Sequence, residues 1–388
     1  MVLWCIIKTL LIFLYIGLSV IVTYLIYNEE RPFYKPLLVK KKTQKEGEKE
    51  ETVNVHDEFD EYAKRDNPIN LFKLFFGVLT IFWIRFILEI ILLFYLNFVL
   101  IRRNKQKQFK LEKEDIKYLI KMTNYLTRIF LLFSGTTVDY KRLPDEEVLP
   151  IYKKYFGSDY KIDYNGKFSC YISNHTSLYD MACAMYCLGC GFVAKEAIKK
   201  TPFFGKMNIG LNSIFVDRSS SGGKKDVLEQ IFERQKDYLD GKPVMPFLIF
   251  PEGTTTSGKH IITFKKGAFN SLLPIKPVII HPNMDKKYHL SCGSADAAIN
   301  FLVSLTKLTK NIEYIELPIL TPNEYMYANF ESYGKEKWEI YAEVAREIMC
   351  ALGKFKKSKM GIRDSFRYCS CIKEKTFFDS DTYKIKEE

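Results

Sequence analysis

The chain has 388 residues, 47% of them apolar and 27% charged, with a formal net charge of +12. That length fits one large domain or two ordinary ones, and that apolar share excludes global disorder. The Lys and Arg excess suits nucleic acid or an anionic membrane surface. Because the apolar residues crowd toward the amino end, the expectation is a lipid bilayer and no nucleic acid.

Val2 to Tyr27 is almost wholly apolar, interrupted by Lys8. As a helix it is long enough for a hydrocarbon core of roughly 30 Å. It runs into VTYLIYNEER without a small-x-small cleavage site, so residues 1–27 read as an uncleaved anchor rather than a signal peptide. Residues 28–66, which include KKKTQKEGEKEE, form a charged linker too polar to fold alone. A second apolar run, within 67–103, is broken by Arg85 and Glu89, one helical turn apart and close enough to pair. It fits a tilted span or a re-entrant hairpin. Lys40 to Lys42 on one flank and the basic collar Arg102 to Lys110 on the other both favour the cytosol, which predicts a hairpin around Arg85 and Glu89. Tyr118 to Phe133 is amphipathic. It suits a helix in the membrane interface or a core helix equally, and with the collar it makes up residues 104–140.

The nine cysteines show no framework spacing. Cys187 and Cys190 form a CxxC with no second pair at zinc-finger distance, so a buried structural role is expected and no metal site. Cys369 and Cys371 lie in a basic tail, residues 356–388.

Residues 141–355 carry the pattern of an α/β domain. Strands are predicted at Phe168–Ser173, Gly191–Ala194, Ser213–Asp217, Val244–Phe250, Pro277–Ile280 and Ile312–Leu320. Helices follow His175 and the SSSGGKK loop (Ser219–Lys225). The second carries Val227, Leu228, Ile231, Phe232, Tyr238 and Leu239 on one face and stops at Gly241. A further helix spans Trp338–Leu352. After the first strand comes NHTSLYD, Asn174 to Asp180. Alone it fits a cap and turn as well as a histidine base with its aspartate. Later comes FPEGTTTSGKHIITFKKGAF, Phe250 to Phe269. Its GTTTSGKH is one residue short of a P-loop: His260 stands where Ser or Thr must hold magnesium, and the β-branched IITF replaces the required helix.

In order, NHTSLYD, GLNSIFVDRS (210–219), FPEGT (250–254) and LPIKPVII (273–280) resemble the four blocks of the glycerolipid acyltransferase family. AKEAIKKTPFFGKM (194–207) fits the segment between the first two. The resemblance covers roughly residues 120–355 and is closest to the lysophosphatidylcholine and lysophosphatidylethanolamine acyltransferase branch. Lys276 departs from the usual apolar residue, and no EF-hand loop follows. The resemblance implies an α/β fold with an acyltransferase-type mixed sheet flanked by helices, preceded by amino-terminal membrane helices. It implies transfer of an acyl group from acyl-CoA, a co-substrate, to a lysophospholipid hydroxyl, with no bound cofactor and no protein partner. A lysophosphatidate or glycerol-3-phosphate acyltransferase is the alternative enzyme, and a catalytically silent membrane scaffold the alternative of another class.

A hydroxyl is a poor nucleophile at neutral pH, so His175 is expected as its base and Asp180 as the group that fixes the imidazole. The coenzyme A thiolate leaves readily and no GxSxG elbow is present, although Ser177 near His175 keeps a covalent route formally open. Arg218 is expected to clamp the acceptor phosphate with help from Lys195. Glu252, Gly253, Thr254 and Pro277 complete the expected substrate site, with Glu252 either meeting the acceptor or holding its loop. Lys384 and Lys386 in KIKEE resemble a dilysine signal for the endoplasmic reticulum, read from the cytosol. A cytosolic domain would leave the Asn174 sequon unglycosylated.

Overall fold

The computed structural model describes residues 2–29, 38–40, 52–54, 71–106, 111–201, 204–216, 223–256, 258–283 and 297–367. Arg218, Cys369, Cys371, Lys384, Lys386, residues 107–110 of the collar and most of the linker lie outside them. Within the linker, β1 (Leu38–Lys40) and β2 (Thr52–Asn54) pair antiparallel.

Helix α1 (Val2–Glu29) exposes Leu10, Phe13, Leu14, Ile21 and Leu25 around its circumference. The second apolar run is one continuous helical rod: α2 (Leu71–Gly77), a π-helical turn at Val78–Phe82, then α3 (Trp83–Gln106). Ile7–Leu25 and Leu74–Arg102 are each long and apolar enough to cross a membrane. The expected hairpin at Arg85 and Glu89 is therefore corrected. WIRFILEII contains neither Gly nor Pro to break the helix.

Nor do the two charges pair. Arg85 turns to the unsatisfied carbonyls that close α9 (Ala297–Leu305), donating to Leu305 O at 3.3 Å, to Lys307 O and to Leu308 O at 2.8 Å. Gly135, at φ +71°, makes room, since a Cβ there would lie 2.5 Å from an Arg85 guanidinium nitrogen. Glu89 is buried with neither oxygen hydrogen-bonded. One face of α3 (Leu93, Leu96, Leu100) enters the protein core, and the opposite stripe (Ile84, Ile87, Ile91, Phe94, Phe98) is exposed.

Helix α4 (Lys113–Phe133) opens with a capping box between Glu112 and Asp115 and buries Ile116, Leu119, Leu126 and Leu131. Its apolar face packs on α3 and on α6 (Tyr179–Leu188), so it is a core helix rather than one lying in the interface. Tyr118, Tyr125 and Leu132 remain outside.

Strands β3 (Thr136–Arg142), β4 (Tyr171–Ser173), β5 (Gly191–Lys195), β6 (Ile214–Val216), β7 (Phe247–Ile249), β9 (Lys276–Asn283) and β10 (Lys310–Glu316) form one sheet in the order β3-β10-β9-β4-β7-β5-β6. Only the β10/β9 joint is antiparallel. The chain thus has the expected mixed α/β fold. The domain starts earlier than residue 141, because α4 and β3 belong to it.

Side chains alternate between the two faces with the two-residue period of a strand. Phe247 and Ile249 join one core with α5 (Asp145–Phe156), α8 (Gly223–Leu239), α10 (Glu324–Asn329) and α11 (Lys337–Gly353). Leu248, Val278 and Ile280 join the other, with α3, α4, α6 and α7 (Phe204–Gly210). On α8 the buried line is Val227, Ile231 and Gln235, while Phe232 is exposed. Gln235 replaces the expected apolar contact by donating to Ala268 O at 3.0 Å. Cys187 and Cys190 are free thiols at the end of α6, the second fully buried. Two-residue strands β8 (His260–Ile261) and β11 (Lys356–Lys357) pair outside the main sheet.

Arg85→Ala should strand the carbonyls it holds and loosen α3 from the domain. The expected loss is on the order of 1–3 kcal/mol, read by thermal unfolding in detergent. An unchanged melting temperature would remove Arg85 from this role.

Candidate active site

Strands β4, β7 and β5 are parallel neighbours, so the loops at their carboxyl ends leave one edge of the sheet, where open α/β folds place their sites. His175 leaves β4, Glu252 leaves β7 and Lys195 ends β5.

NHTSLYD closes on itself through Asp180. That carboxylate is 1% exposed and accepts from His175 Nδ1 at 2.8 Å, Thr176 Oγ1 at 2.9 Å, Ser177 N at 2.8 Å, Ser177 Oγ at 3.1 Å, and Thr176 N. It sits in the first turn of α6, where a negative side chain suits the helix dipole. With Asp180 accepting at Nδ1, that nitrogen carries the hydrogen and Nε2 is left to accept a proton. Ser177, buried and donating to Asp180, holds the loop instead of presenting a nucleophile. The imidazole stacks on Phe250, with ring centroids 3.9 Å apart.

The backbone of His175 is held as firmly as its ring. Its N–H donates to Glu252 Oε1 at 2.9 Å, and its carbonyl accepts from Thr256 N at 2.8 Å. Glu252 Oε2 also accepts from Ile262 N at 3.3 Å. Glu252 is fully buried, and these two backbone contacts hold the loop. Burial pushes its carboxyl up to about 8, against the lowering effect of the two backbone donors.

Gly253 adopts the left-handed conformation, φ +72°, and Thr254 continues the turn half-buried. A Cβ at Gly253 would stand 3.1 Å from Ile362 Cδ1 and 3.2 Å from Lys265 Cε. Lys195 is exposed, its ammonium 5.3 Å from the Phe366 ring centroid. Pro277 is buried inside β9 opposite Ile172. The chain after GTTTSGK enters β8, not a helix, in keeping with the failed P-loop match.

Two contacts were not foreseen from the sequence. Asn174 bridges the block to β9 through Nδ2–H to Ile280 O and Ile280 N–H to Oδ1, both 2.9 Å. An amide is the one side chain that reproduces both halves of a strand ladder, which was the available signal. Lys276, the departure from the family pattern, is buried against Glu316 and donates to Tyr164 O at 2.6 Å, with Arg142 Nε on the other Glu316 oxygen at 2.7 Å. Beside the motif lies a small, open apolar cavity lined by Leu96, Phe130, Leu178, Met181, Met207 and Phe301 among others.

A histidine–carboxylate pair thus stands on the carboxyl edge of a mixed α/β sheet with an apolar cavity beside it, an arrangement able to take a proton from an attacking group. Residues 164–282 match the Acyltransferase family. The lysophospholipid acyltransferase LPEAT1 of Arabidopsis thaliana is 29% identical over 198 residues, 51% of this chain and 48% of that protein. Human lysophosphatidylcholine acyltransferase 1 is 27% identical over 173 residues, 44% of this chain and 32% of that protein. The chain thus spans less than half the length of either relative. The crystal structure of the 1-acyl-sn-glycerophosphate (LPA) acyltransferase PlsC from Thermotoga maritima aligns with a TM-score of 0.43 at 18% identity, covering 71% of this chain and 95% of that one.

The raised Glu252 carboxyl has a definite pH signature. Below its ordinary 4.5 it is protonated folded or unfolded; above, only the unfolded carboxyl ionises until about pH 8. The folded state then holds the extra proton, so stability falls as pH rises through that window. Glu252→Gln cannot titrate. Its stability relative to wild type should improve by about a few kcal/mol between those limits and level off above, measured by melting across pH. A pH-independent difference would overturn the assignment.

Proposed function

We propose that the chain is a membrane-bound acyltransferase that moves a fatty acyl group from acyl-CoA to the free hydroxyl of a lysophospholipid, of the lysophosphatidylcholine or lysophosphatidylethanolamine type. The observation that carries it is the 2.8 Å contact of His175 Nδ1 with a buried, fivefold-bonded Asp180, which turns Nε2 into the proton acceptor. Nε2 takes the hydroxyl proton as the oxygen attacks the thioester carbonyl. The carbon–sulfur bond breaks, coenzyme A leaves as thiolate, and the imidazolium, stabilised by Asp180, returns its proton to the thiolate or to solvent. The cavity beside the motif suits the acyl chain, and the names of the curated relatives support a lysophospholipid as acceptor. Arg218 is assigned to the acceptor phosphate, where its planar fork gives two parallel bonds.

An assay with radiolabelled acyl-CoA and a panel of lysolipids tests this. His175→Ala should lose on the order of 10²-fold or more of turnover while remaining folded. Arg218→Ala should chiefly raise the acceptor KM, the signature of binding lost equally from ground and transition states. Near-normal turnover in the histidine variant, or an arginine effect confined to acyl-CoA, would refute the respective role.

The compartment proposed is the endoplasmic reticulum membrane, with the domain on the cytosolic side where acyl-CoA is available. The two apolar helices support the membrane placement. A tag placed after Glu388 should be digested by protease added to sealed microsomes, and a protected tag would reverse the orientation.

A further inference from the structure

Asp180 sets which way the His175 ring turns, but it does not set the tilt of the ring. The final torsion of a histidine side chain is broad, so a hydrogen bond at Nδ1 alone lets the imidazole rock about that bond. What stops it lies across the sheet. Phe250 stands one residue past β7 and packs on the same core as Leu248, two residues earlier, in keeping with the two-residue period of a strand. From there its ring lies 13° from parallel to the imidazole, with centroids 3.9 Å apart. Behind it comes Phe192 of β5, opposite Leu248 in the register, buried and 6° from parallel to Phe250 at 6.2 Å. Three flat rings from three neighbouring parallel strands and their ends thus run in one row, from the core out to His175. The His175 side chain is only 17% exposed, so little water reaches a charge that forms on it.

We propose that Phe250 is a positioning residue of the acyl transfer: its face sets the tilt of His175 and meets the positive charge that the imidazole carries during the reaction. The inference rests on the acyltransferase reading for its reaction. As the hydroxyl oxygen bonds to the thioester carbon, its proton passes to Nε2. The carbon–sulfur bond then breaks, and the imidazolium gives its proton to the departing thiolate or to solvent. While charged, the imidazolium meets Asp180 at its edge and the negative face of the Phe250 ring across its plane. That face attracts a cation more than it attracts a neutral ring. The contact therefore strengthens only once the proton has moved, which lowers the barrier rather than tightening the bound substrates. An aliphatic side chain would fill the same space and offer the charge nothing.

The test compares Phe250→Leu with Phe250→Tyr in the full chain in detergent, with radiolabelled acyl-CoA and a panel of lysolipids. Phe250→Leu keeps apolar bulk but removes the ring. Its kcat, per folded molecule, should fall about 3- to 30-fold with the KM of both substrates unchanged. Phe250→Tyr keeps the ring and should restore kcat. A second readout needs no substrate. A phenyl ring stacked on an imidazole shifts the imidazole protons upfield, which nuclear magnetic resonance of protein labelled at its five histidines reads directly. The displaced His175 signals should vanish in His175→Ala, return to the ordinary range in Phe250→Leu and persist in Phe250→Tyr. His281, stacked on Phe355 at 4.4 Å, gives a second displaced set that these variants leave alone. An unchanged kcat in Phe250→Leu, a loss that Phe250→Tyr does not restore, a loss carried by KM, or undisplaced His175 signals in wild type would each overturn the proposal. Wild type that shows the displaced signals yet transfers no acyl group would sink the acyltransferase reading while sustaining the stack. Wild type that transfers acyl groups with Phe250→Leu immaterial does the reverse.

Discussion

The site depends on one carboxyl group bridging two loops that the sheet brings close but does not join. Glu252 follows β7 and His175 follows β4, and the hydrogen bond from His175 N to Glu252 ties the two strand ends together. The bond ends on a fully buried carboxyl, whose oxygens cost more to leave unanswered than the bond itself gains. The two acidic residues therefore divide the histidine between them. Glu252 fixes where its main chain runs, and Asp180 fixes how its ring is turned.

Much of this was legible because strands and motifs are local. The β4, β5, β7 and β9 segments are short apolar runs followed by polar turns, and NHTSLYD holds both members of its pair within six residues. What the sequence withheld were partners far along the chain. Arg85 and Glu89 look like a self-contained pair at helical spacing, but Arg85 satisfies carbonyls 220 and more residues away. The amphipathic stripe of α4 shows that one face is buried without saying whether lipid or protein buries it. Residues 358–367 carry no periodicity and read as tail, although backbone bonds to residues 259–263 fix them beside the site.

The same distant contacts join the apolar helices to the chemistry. Tyr179, next to Asp180, shares a 2.8 Å hydrogen bond with Ser304, and the Lys310 ammonium both donates to Ser304 O at 2.8 Å and lies 5.0 Å from the Tyr179 ring. Arg85 grips the chain just beyond Ser304. The helix that carries the stripe of exposed isoleucine and phenylalanine is thereby built into the wall behind helix α6. The protein's apolar surface and its reactive edge form one body.

The π-helical turn at Val78–Phe82 fixes the angular phase of that body. A π turn takes in one residue more than an α turn, and each residue in an α-helix advances the chain by about 100° around its axis. Leu74, Val78 and Phe82 face the Val303 and Leu305 cluster on one side of the turn, while Leu93, Leu96 and Leu100 face the main core on the other. Were the rod to relax to a uniform α-helix with every residue kept, the absorbed residue would add its own step of about 100°. With Leu74 held against its cluster, everything downstream would swing by roughly a quarter of a revolution, carrying Arg85 away from its carbonyls and toward the side meant for hydrocarbon. The turn is thus a vernier, setting in one residue the registry between two surfaces that meet different solvents.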